Sequence, residues 1–213
     1  DAKQIDRGKV MTAEELEAGK FFGRYTDVDG DGIPFRTYPG THPTKGAYFT
    51  RGTSRNRMAG YSEKGVDYQD NMERLLKKFH TAATLVPGPV VKPATQKTRI
   101  GAIYFGSTSA AMDEALETLE AKGHHIDAMR VRAFPFGQDV YDFIHAHEEI
   151  CVVEQNRDAQ LRSLLMIEGG IDPARLTSIL HYDGTPITAR FLIDAIGKRL
   201  DARQATRQIT RKS

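Results

Sequence analysis

The sequence is poor in cysteine and has no long apolar run. Its 213 residues include one cysteine, Cys151, which lies in a short apolar run and has no partner for an intrachain disulfide. A lone thiol fits a reducing compartment and cannot hold an iron–sulfur cluster. No apolar stretch reaches the roughly 20 residues that span a bilayer, and no secretory signal precedes a cleavage site. We therefore expect a cytoplasmic protein without a membrane segment.

The chain also lacks a strong charge of either sign. Its formal net charge is +2, from 30 basic and 28 acidic residues. A balance this close gives no indication of binding to nucleic acid or to an anionic membrane. With 39% hydrophobic and 27% charged residues, the composition is that of a soluble globular protein with one large domain or two small ones.

The second half of the sequence repeats a strand-then-helix pattern. Short, nearly continuous apolar runs are typical of parallel strands covered on both faces, and their alternation with helices indicates right-handed crossovers. The predicted strands are Ile100–Phe105, Ile126–Val131, Ile150–Val153 and Leu176–His181, and the predicted helices are Ser109–Lys122, Gln138–His147, Asn156–Ile167 and Pro186–Leu200. The pattern predicts an α/β fold with a three-layer α/β/α, mostly parallel sheet.

The first half is less regular and ends in one clear helix. Thr12 and Glu15 have the spacing of a capping box for a short helix. From Asp67 to Leu85, apolar residues recur at helical spacing and form one stripe. The stripe consists of Met72, Leu75, Leu76, Phe79, Ala82 and Ala83.

A proline-rich segment, Val86–Pro93, follows that helix and reads as a stiff linker. We therefore place a domain boundary near residue 95. The predicted organisation is a first domain over residues 1–94, a second over residues 95–200, and a frayed basic tail over residues 201–213.

Three aspartates alternate between Asp27 and Asp31, which matches the first half of an EF-hand calcium loop. The second half does not match, because Tyr38 stands where a bidentate glutamate is required and Pro39 breaks the exiting helix. Alternating aspartate and glycine also form tight turns without a metal. We predict such a turn and no metal site, and Asp27, Asp29 and Asp31 are the candidates for a cation.

A long irregular segment runs over Thr37–Glu63. Loops of this length in compact domains are functional or disordered. Four basic residues lie between Lys45 and Arg57, together with Tyr48 and Phe49. The segment is either a phosphate or nucleic-acid surface or a solvated loop against a partner. We favour the loop, because the rest of the chain has no basic face.

The loop Gly106-Ser107-Thr108 follows the first predicted parallel strand and precedes a helix. Phosphate sites of α/β proteins lie at this position. However, the loop has neither the dinucleotide-binding nor the P-loop glycine pattern. We interpret it as a tight turn with hydroxyl caps and keep an anion site as the alternative.

Glu154, Gln155, Asn156 and Arg157 follow the third predicted strand and combine acid, amide and guanidinium groups. The carboxyl ends of parallel strands are where α/β sheets bind ligands. Such residues also satisfy the free amides at a helix start. A capping and ion-pair network and an interface or functional cluster at the sheet end both remain open.

Four separated motifs carry a family resemblance. They are Tyr25-Thr26-Asp27-Val28-Asp29-Gly30-Asp31-Gly32-Ile33-Pro34 with Arg36 and Pro39-Gly40, then Ala47-Tyr48-Phe49-Thr50-Arg51-Gly52-Thr53, then Val152-Val153-Glu154-Gln155-Asn156 with Gln160-Leu161, and finally His181-Tyr182-Asp183-Gly184 with Pro186. In this order they resemble the α subunit of 2-oxoacid:ferredoxin oxidoreductases, most closely the 2-oxoglutarate type. The similarity runs over essentially the whole chain, and the combination is more specific than any single motif.

The resemblance implies a part in the oxidative decarboxylation of a 2-oxoacid on thiamine diphosphate. Coenzyme A accepts the acyl group and ferredoxin the electrons in that family, and the hard chemistry belongs to the cofactor. Residues 1–94 then correspond to the C-terminal part of a pyrimidine-binding domain, and residues 95–200 to a domain similar to the transketolase C-terminal domain. The implied partners are the upstream part of the α subunit and the β subunit.

Several family features belong to those partners. The substrate segment and the pyrimidine-activating glutamate belong to the upstream part, and the ligands of the diphosphate, Mg²⁺ and iron–sulfur cluster to the β subunit. We therefore expect no catalytic residue in this chain, no cofactor bound by it alone and no activity of the isolated chain. The alternative is a freestanding, non-catalytic α/β binding or assembly module with a cation or phosphate site.

In relatives, the loop from Tyr48 to Glu63 lies near the active-site entrance. Many relatives read Gly-Leu-Glu-His-Asp where this chain has Gly52-Thr53-Ser54-Arg55-Asn56. The departure puts a charge-based role of the family's type in doubt here. If the loop reaches the cavity, an arginine can bind the distal carboxylate of a dianionic substrate through charge-assisted hydrogen bonds. The candidate entrance residues are Arg51, Arg55, Asn56 and Arg57.

Overall fold

The computed structural model describes residues 5–210, with side chains described for residues 5–203. The chain divides into two compact units, the first ending at Leu85 and the second beginning at Val86. The division precedes the expected boundary near residue 95, because Val90–Lys92 form a strand of the second unit. The assignment of residues 1–94 and 95–200 to two domains of thiamine enzymes stays a prediction.

The regular elements follow one another along the chain. The first unit holds α1 (Ala13–Glu17) and α2 (Gly65–Leu85), and the second holds β1 (Val90–Lys92), β2 (Ile100–Phe105), α3 (Thr108–Ala121), β3 (Asp127–Val131), α4 (Gln138–Ala146), β4 (Glu149–Glu154), α5 (Gln160–Gly169), a 3₁₀ turn (Pro173–Arg175), β5 (Leu176–Leu180) and α6 (Ala189–Thr210). Within residues 5–210, no helix combines the length and the apolar character that crossing a bilayer requires.

The second unit is built on a five-stranded sheet in the order β1-β3-β2-β4-β5. Strands β2, β3, β4 and β5 pair in parallel, whereas β1 runs antiparallel to β3, with Val91 opposite Met129. The four predicted strands are present. The sequence prediction was wrong for β1, because its residues were expected in a linker. An edge position tolerates the flanking Pro89 and Pro93, because an edge strand does not need every amide for pairing.

Helices cover both faces of this sheet. In β2, Tyr104 packs on the face covered by α3 and α6, and Ile103 packs on the face covered by α4 and α5. In β4, Cys151 and Val153 share the first face and Val152 lies on the second. This alternation explains the continuous apolar run of a strand that is buried on both sides. The predicted three-layer α/β/α, mostly parallel fold is confirmed.

Helix α6 extends beyond the end expected near Leu200 and reaches Thr210. The prediction of a frayed tail over residues 201–213 is therefore wrong for residues 201–210, and residues 211–213 lie outside the described part of the chain. Arg203 holds the first turn of the helix after Leu200 against the second unit. Its side chain is only 14% exposed and forms ion pairs with Glu148 and Glu149.

Glu149 is the centre of this ion-pair cluster at the amino end of β4. Its Oε1 accepts hydrogen bonds from Arg199 Nε (2.6 Å) and Thr177 Oγ1 (2.8 Å), and its Oε2 accepts one from Arg203 Nη1 (3.1 Å). Burial raises the pKa of this carboxyl, but the hydrogen bonds and the guanidinium charges outweigh burial and hold the pKa below its usual 4.5. The folded state therefore stabilises the charged carboxylate.

Replacing Glu149 by glutamine removes the carboxylate that Arg199 and Arg203 share and leaves Arg203 with its ion pair to Glu148. We expect the change to destabilise the second unit by about 2–4 kcal/mol. The thiol of Cys151 is fully buried in β4, so its reaction with a thiol reagent reports opening of this unit. The expected acceleration of this reaction at neutral pH is about 30- to 800-fold.

The matched control is Glu117→Gln on the exposed side of α3, which should label at the wild-type rate. Because the folded-state pKa of Glu149 is lowered, its contribution is present at neutral pH and is lost as the pH falls through and below 4.5. The difference between wild type and Glu149→Gln in urea midpoint should shrink over that range. A constant difference would contradict the assignment of the charge.

The first unit buries few hydrophobic side chains. Among its described residues, Met11, Leu16 and Ala59 are the buried ones. The capping box of α1 forms as predicted, since Thr12 Oγ1 accepts from Glu15 N (3.3 Å) and Glu15 Oε2 accepts from Thr12 N (2.8 Å). Such a small apolar core leaves polar contacts to organise the described part of this unit.

Helix α2 spans the predicted segment, but its apolar stripe lies on the surface. Met72, Leu76 and Phe79 expose 38%, 62% and 50% of their area, whereas the polar Asn71 is buried. Asn71 Nδ2 donates to the carbonyl oxygen of Arg55 and to that of its own helix at Asp67. At Asn71, α2 thus contacts the rest of the first unit through a polar side chain.

Candidate functional site

The alternating aspartates form a compact turn. Asp27 Oδ1 accepts a hydrogen bond from Gly30 N (2.9 Å), and Asp31 Oδ1 accepts one from Ile33 N (2.8 Å). One carboxylate oxygen from each of Asp27, Asp29 and Asp31 lies within 4.8 Å of the others. Aspartates that bind backbone amides two or three residues further on are typical of tight turns.

Two lysines neutralise these carboxylates. Lys9 Nζ lies 2.6 Å from both Asp29 Oδ1 and Asp31 Oδ2, and Lys77 Nζ lies 3.2 Å from Asp27 Oδ2. Burial raises the pKa of Asp31, but hydrogen bonds from Lys9 and a backbone amide, with the charge of Lys9, leave that pKa lowered. An ammonium group here supplies the positive charge that a cation would bring. The geometry favours the tight turn, and the absence of a metal site stays a prediction.

The turn packs directly against α2. Arg74 Nη1 donates to Gly32 O (3.1 Å), and Thr81 Oγ1 donates to Asp31 O (2.6 Å). Gly32 has a φ of +77°, and a Cβ at this position would lie 2.4 Å from Lys78 N and 2.9 Å from Arg74 O. Backbone atoms cannot give way as a flexible side chain can, so only glycine fits this contact.

A pair of alanine substitutions separates the close contact from the backbone conformation. Gly30→Ala adds left-handed strain of about 1 kcal/mol, because its Cβ would meet only Lys77 Nζ at 3.7 Å. Gly32→Ala adds the same strain and a backbone clash, for a total of about 3 kcal/mol. Amide hydrogen exchange in α2 should accelerate much more in Gly32→Ala. Equal acceleration in both variants would contradict the close packing.

Two of the predicted entrance residues bind within their own loop. Arg55 is half-buried, its Nη2 donates to Gly52 O (3.1 Å), and its guanidinium lies 5.4 Å from the ring centre of Tyr25. Asn56 Oδ1 accepts from Gly60 N (2.9 Å), which closes the following turn. These two side chains hold the loop in shape.

Arg57 and Arg51 differ in their surroundings. Arg57 forms a two-pronged ion pair with Asp70 of α2, with Nε 2.9 Å from Oδ2 and Nη2 2.5 Å from Oδ1. The hydrogen bond to Asp70 and its charge raise the pKa of Arg57. Arg51 is exposed and, among the described residues, has no ion-pair partner. Arg51 is therefore the loop arginine whose charge stays available.

The sheet-end cluster is organised by Glu154, which is fully buried. Its Oε2 accepts from Leu161 N (2.6 Å) and Asn156 Nδ2 (2.9 Å), and its Oε1 accepts from Arg162 N (3.0 Å). Asn156 Oδ1 accepts from Gln160 N (3.3 Å). These contacts satisfy the first amides of α5, as the capping alternative describes.

The other two members of the cluster are exposed. Gln155 Nε2 donates to Ser107 Oγ (3.0 Å) and Thr108 Oγ1 (3.2 Å), so this amide bridges the loops after β2 and β4. Arg157 is paired with its neighbour Asp158 (2.8 Å). Gln155 therefore occupies the hydroxyl groups that the anion alternative for the Gly106 loop would use. An interface role for the cluster stays a prediction.

A largely apolar cavity of about 450 Å³ lies beside this cluster at the carboxyl ends of β2 and β3. Sequence reasoning missed it, although aromatic residues on both sides of Pro135 were a signal. The cavity can hold an apolar group, and Arg132 places a guanidinium group in its wall. The main lining residues are Phe105, Val131, Arg132, Phe134, Phe136 and Leu161.

The fold resembles one solved enzyme over most of its length. A 2-oxoglutarate:ferredoxin oxidoreductase from Magnetococcus marinus, solved with 2-oxoglutarate, coenzyme A and succinyl-CoA bound, matches 84% of this chain with a TM-score of 0.71 at 19% sequence identity. The match covers 31% of the enzyme's chain, so this chain spans less than a third of it. The resemblance found in the sequence is thus confirmed at the level of the fold.

Two further solved structures resemble parts of the chain. A split-gene transketolase in an inactive tetrameric form matches 52% of this chain and 40% of its own, with a TM-score of 0.43 at 17% identity. The alpha chain of a probable 2-oxoacid ferredoxin oxidoreductase from Thermoplasma acidophilum matches 54% of this chain and 97% of its own, with a TM-score of 0.37 at 22% identity. No family model and no curated protein sequence matches the chain.

Proposed function

We propose that this chain, with the fold of part of a 2-oxoglutarate:ferredoxin oxidoreductase, is a portion of the α subunit of such an enzyme. The observation that carries the proposal is the match over 84% of the chain, which is more than either unit contains. The four sequence motifs that resemble this family lie in both units and in the same order. The complete enzyme converts a 2-oxoacid and coenzyme A to an acyl-CoA and passes electrons to ferredoxin.

The small apolar core of the first unit supports the proposal that other segments of the enzyme complete this unit. Three buried hydrophobic residues are few for a unit of this length, and the apolar stripe of α2 lies on the surface. Exposed apolar surface of this kind marks sites of association. In the proposed enzyme, the upstream part of the α subunit and the β subunit supply the missing partners.

Two of the cofactors of such an enzyme, the iron–sulfur cluster and Mg²⁺, do not fit the residues of this chain. An iron–sulfur cluster needs several thiolates, whereas the single Cys151 is buried in β4 and burial raises its pKa to about 12. Lys9 occupies the aspartate turn where Mg²⁺ would need free carboxylates. Mg²⁺ and the cluster are therefore assigned to other segments, and the family resemblance places the ligands of thiamine diphosphate there as well.

The function is tested on the native assembly that contains this chain. We expect the purified assembly to reduce viologen dye only when both 2-oxoglutarate and coenzyme A are present, and to carry bound thiamine diphosphate and iron. The isolated chain should show no turnover. Turnover by the isolated chain, or a native form of the chain without cofactor-bearing companions, would overturn the proposal.

Arg51, the exposed loop arginine without an ion-pair partner among the described residues, is expected to bind the distal carboxylate of 2-oxoglutarate. In the assembled enzyme, Arg51→Ala should raise KM for 2-oxoglutarate about 10-fold with little change in kcat, because a charge-assisted hydrogen bond to the distal carboxylate is lost. Pyruvate lacks that carboxylate, so any activity with it should not change. Lys64→Ala, an exposed cation of the same unit, is the control. An unchanged KM for 2-oxoglutarate would exclude this role.

A further inference from the structure

A basin in the first unit is lined by far more basic than acidic groups. Its volume is about 440 Å³. Ile33, Pro34, Leu75 and Tyr25 form its uncharged walls. The charged residues of this basic basin are Arg7, Lys9, Arg24, Arg36, Arg74 and Lys78, together with one acid, Asp6.

Most of these basic groups form no ion pair within the described residues, although the carboxylates of Asp27 and Asp70 lie near enough to Arg74 to act on its charge. Lys9 is neutralised by Asp29 and Asp31 of the aspartate turn. The carboxylate of Asp6 accepts from Gly8 N (2.7 Å) and pairs with none of the cations. No carboxylate of the described chain forms an ion pair with the other five basic residues. The basin therefore carries a concentrated positive charge.

Three of the guanidinium groups are also incompletely hydrogen-bonded. The Nε atoms of Arg24, Arg36 and Arg74 are buried and have no partner among the described residues. Buried N–H groups without partners are rare in proteins, and each one calls for an explanation. Here three of them belong to side chains that line one cavity. An anion in that cavity offsets the unfavourable burial of such groups.

Two of these three guanidinium groups lie near one ring, whereas that of Arg36 lies 5.4 Å from the ring centre of Tyr38. Those of Arg24 and Arg74 lie 5.2 Å and 5.7 Å from the ring centre of Tyr25. Burial and the nearby charge of Arg24 lower the pKa of Arg74. Burial raises the pKa of Tyr25, yet hydrogen bonds and the charges of Arg55 and Arg24 leave it lowered. Burial is the larger cause for Arg74, where Tyr25, Asp27 and Asp70 oppose the lowering, and the charge of Arg24 contributes to both directions.

The backbone fixes where two of these arginines start. Arg36 N donates to Lys9 O (2.9 Å) and its carbonyl accepts from Met11 N (2.9 Å), so the residue is tied to the strand-like segment beside it. Arg74 stands on α2 and its Nη1 donates to Gly32 O (3.1 Å). Side chains on fixed backbone lose less freedom when they bind a ligand.

We propose that the basic basin binds a phosphate group of a small molecule, as a phosphate ester or a diphosphate. The inference goes beyond the proposed function and does not rest on it. Planar guanidinium groups bind phosphate oxygens in pairs, and several cations together match an anion with two or more charges. A single carboxylate offers one charge and two oxygens, which leaves most of this basin unpaired. The uncharged walls can contact the ester portion.

The test is calorimetric titration of the full chain with inorganic pyrophosphate at an ionic strength held constant with sodium chloride. We expect a dissociation constant on the order of 10–100 µM. Arg74→Gln should weaken binding at least about 10-fold. Lys78→Gln should weaken it about 3- to 10-fold, and this exposed side chain can change without disturbing the fold. Lys64→Gln, an exposed cation outside the basin, should bind as the wild type does.

A second readout locates the ligand. The ¹⁵Nε–H resonances of Arg24, Arg36 and Arg74 should shift on titration, whereas that of Arg157 in the second unit should not. Comparing ADP with pyrophosphate distinguishes the sources of the phosphate group. Tighter binding of ADP supports a nucleotide ester, and tighter binding of pyrophosphate supports a free diphosphate. The proposal is overturned by no binding at about 5 mM pyrophosphate, by equal weakening in Lys64→Gln, or by tighter binding of succinate, which would indicate a carboxylate or an acidic peptide segment.

Discussion

Strand β4 is the element on which the second unit depends. All six of its residues are buried, and its apolar middle contacts the helix layers on both faces of the sheet. A carboxylate stands at each end of this apolar run. Glu149 at the amino end binds arginines of α6, and Glu154 at the carboxyl end binds the first amides of α5. One strand thereby joins both layers through its core and fixes two helices through its ends.

The first unit follows a different principle. Its described residues bury little apolar surface, and side-chain hydrogen bonds connect its long loops to α2. Arg57 binds Asp70, Asn71 binds the carbonyl of Arg55, and Thr81 binds the carbonyl of Asp31. Polar contacts of this kind define a conformation but supply a modest net free energy each. The contrast agrees with the proposal that other segments complete the first unit.

The regular half of the fold was predictable, because buried parallel strands leave continuous apolar runs in the sequence. Strand β1 was not, since three residues beside prolines resemble a linker until β3 pairs with them. The end of α6 was missed because the sequence after Leu200 lacks apolar periodicity, and because the pairing of Arg203 with distant carboxylates depends on tertiary structure. The basic basin was missed for a related reason, as Arg24, Arg36 and Arg74 are far apart in sequence. The pairing of Arg57 with Asp70 likewise depends on tertiary structure.

Lys9 gives the aspartate turn a property that a metal-dependent loop lacks. Its ammonium group is part of the same polypeptide and lies between two carboxylates, so the neutralising charge is present at a fixed local concentration as soon as the chain folds. In the described structure, the charge of Asp29 and Asp31 is therefore balanced from within the chain, and this balance forms together with the fold.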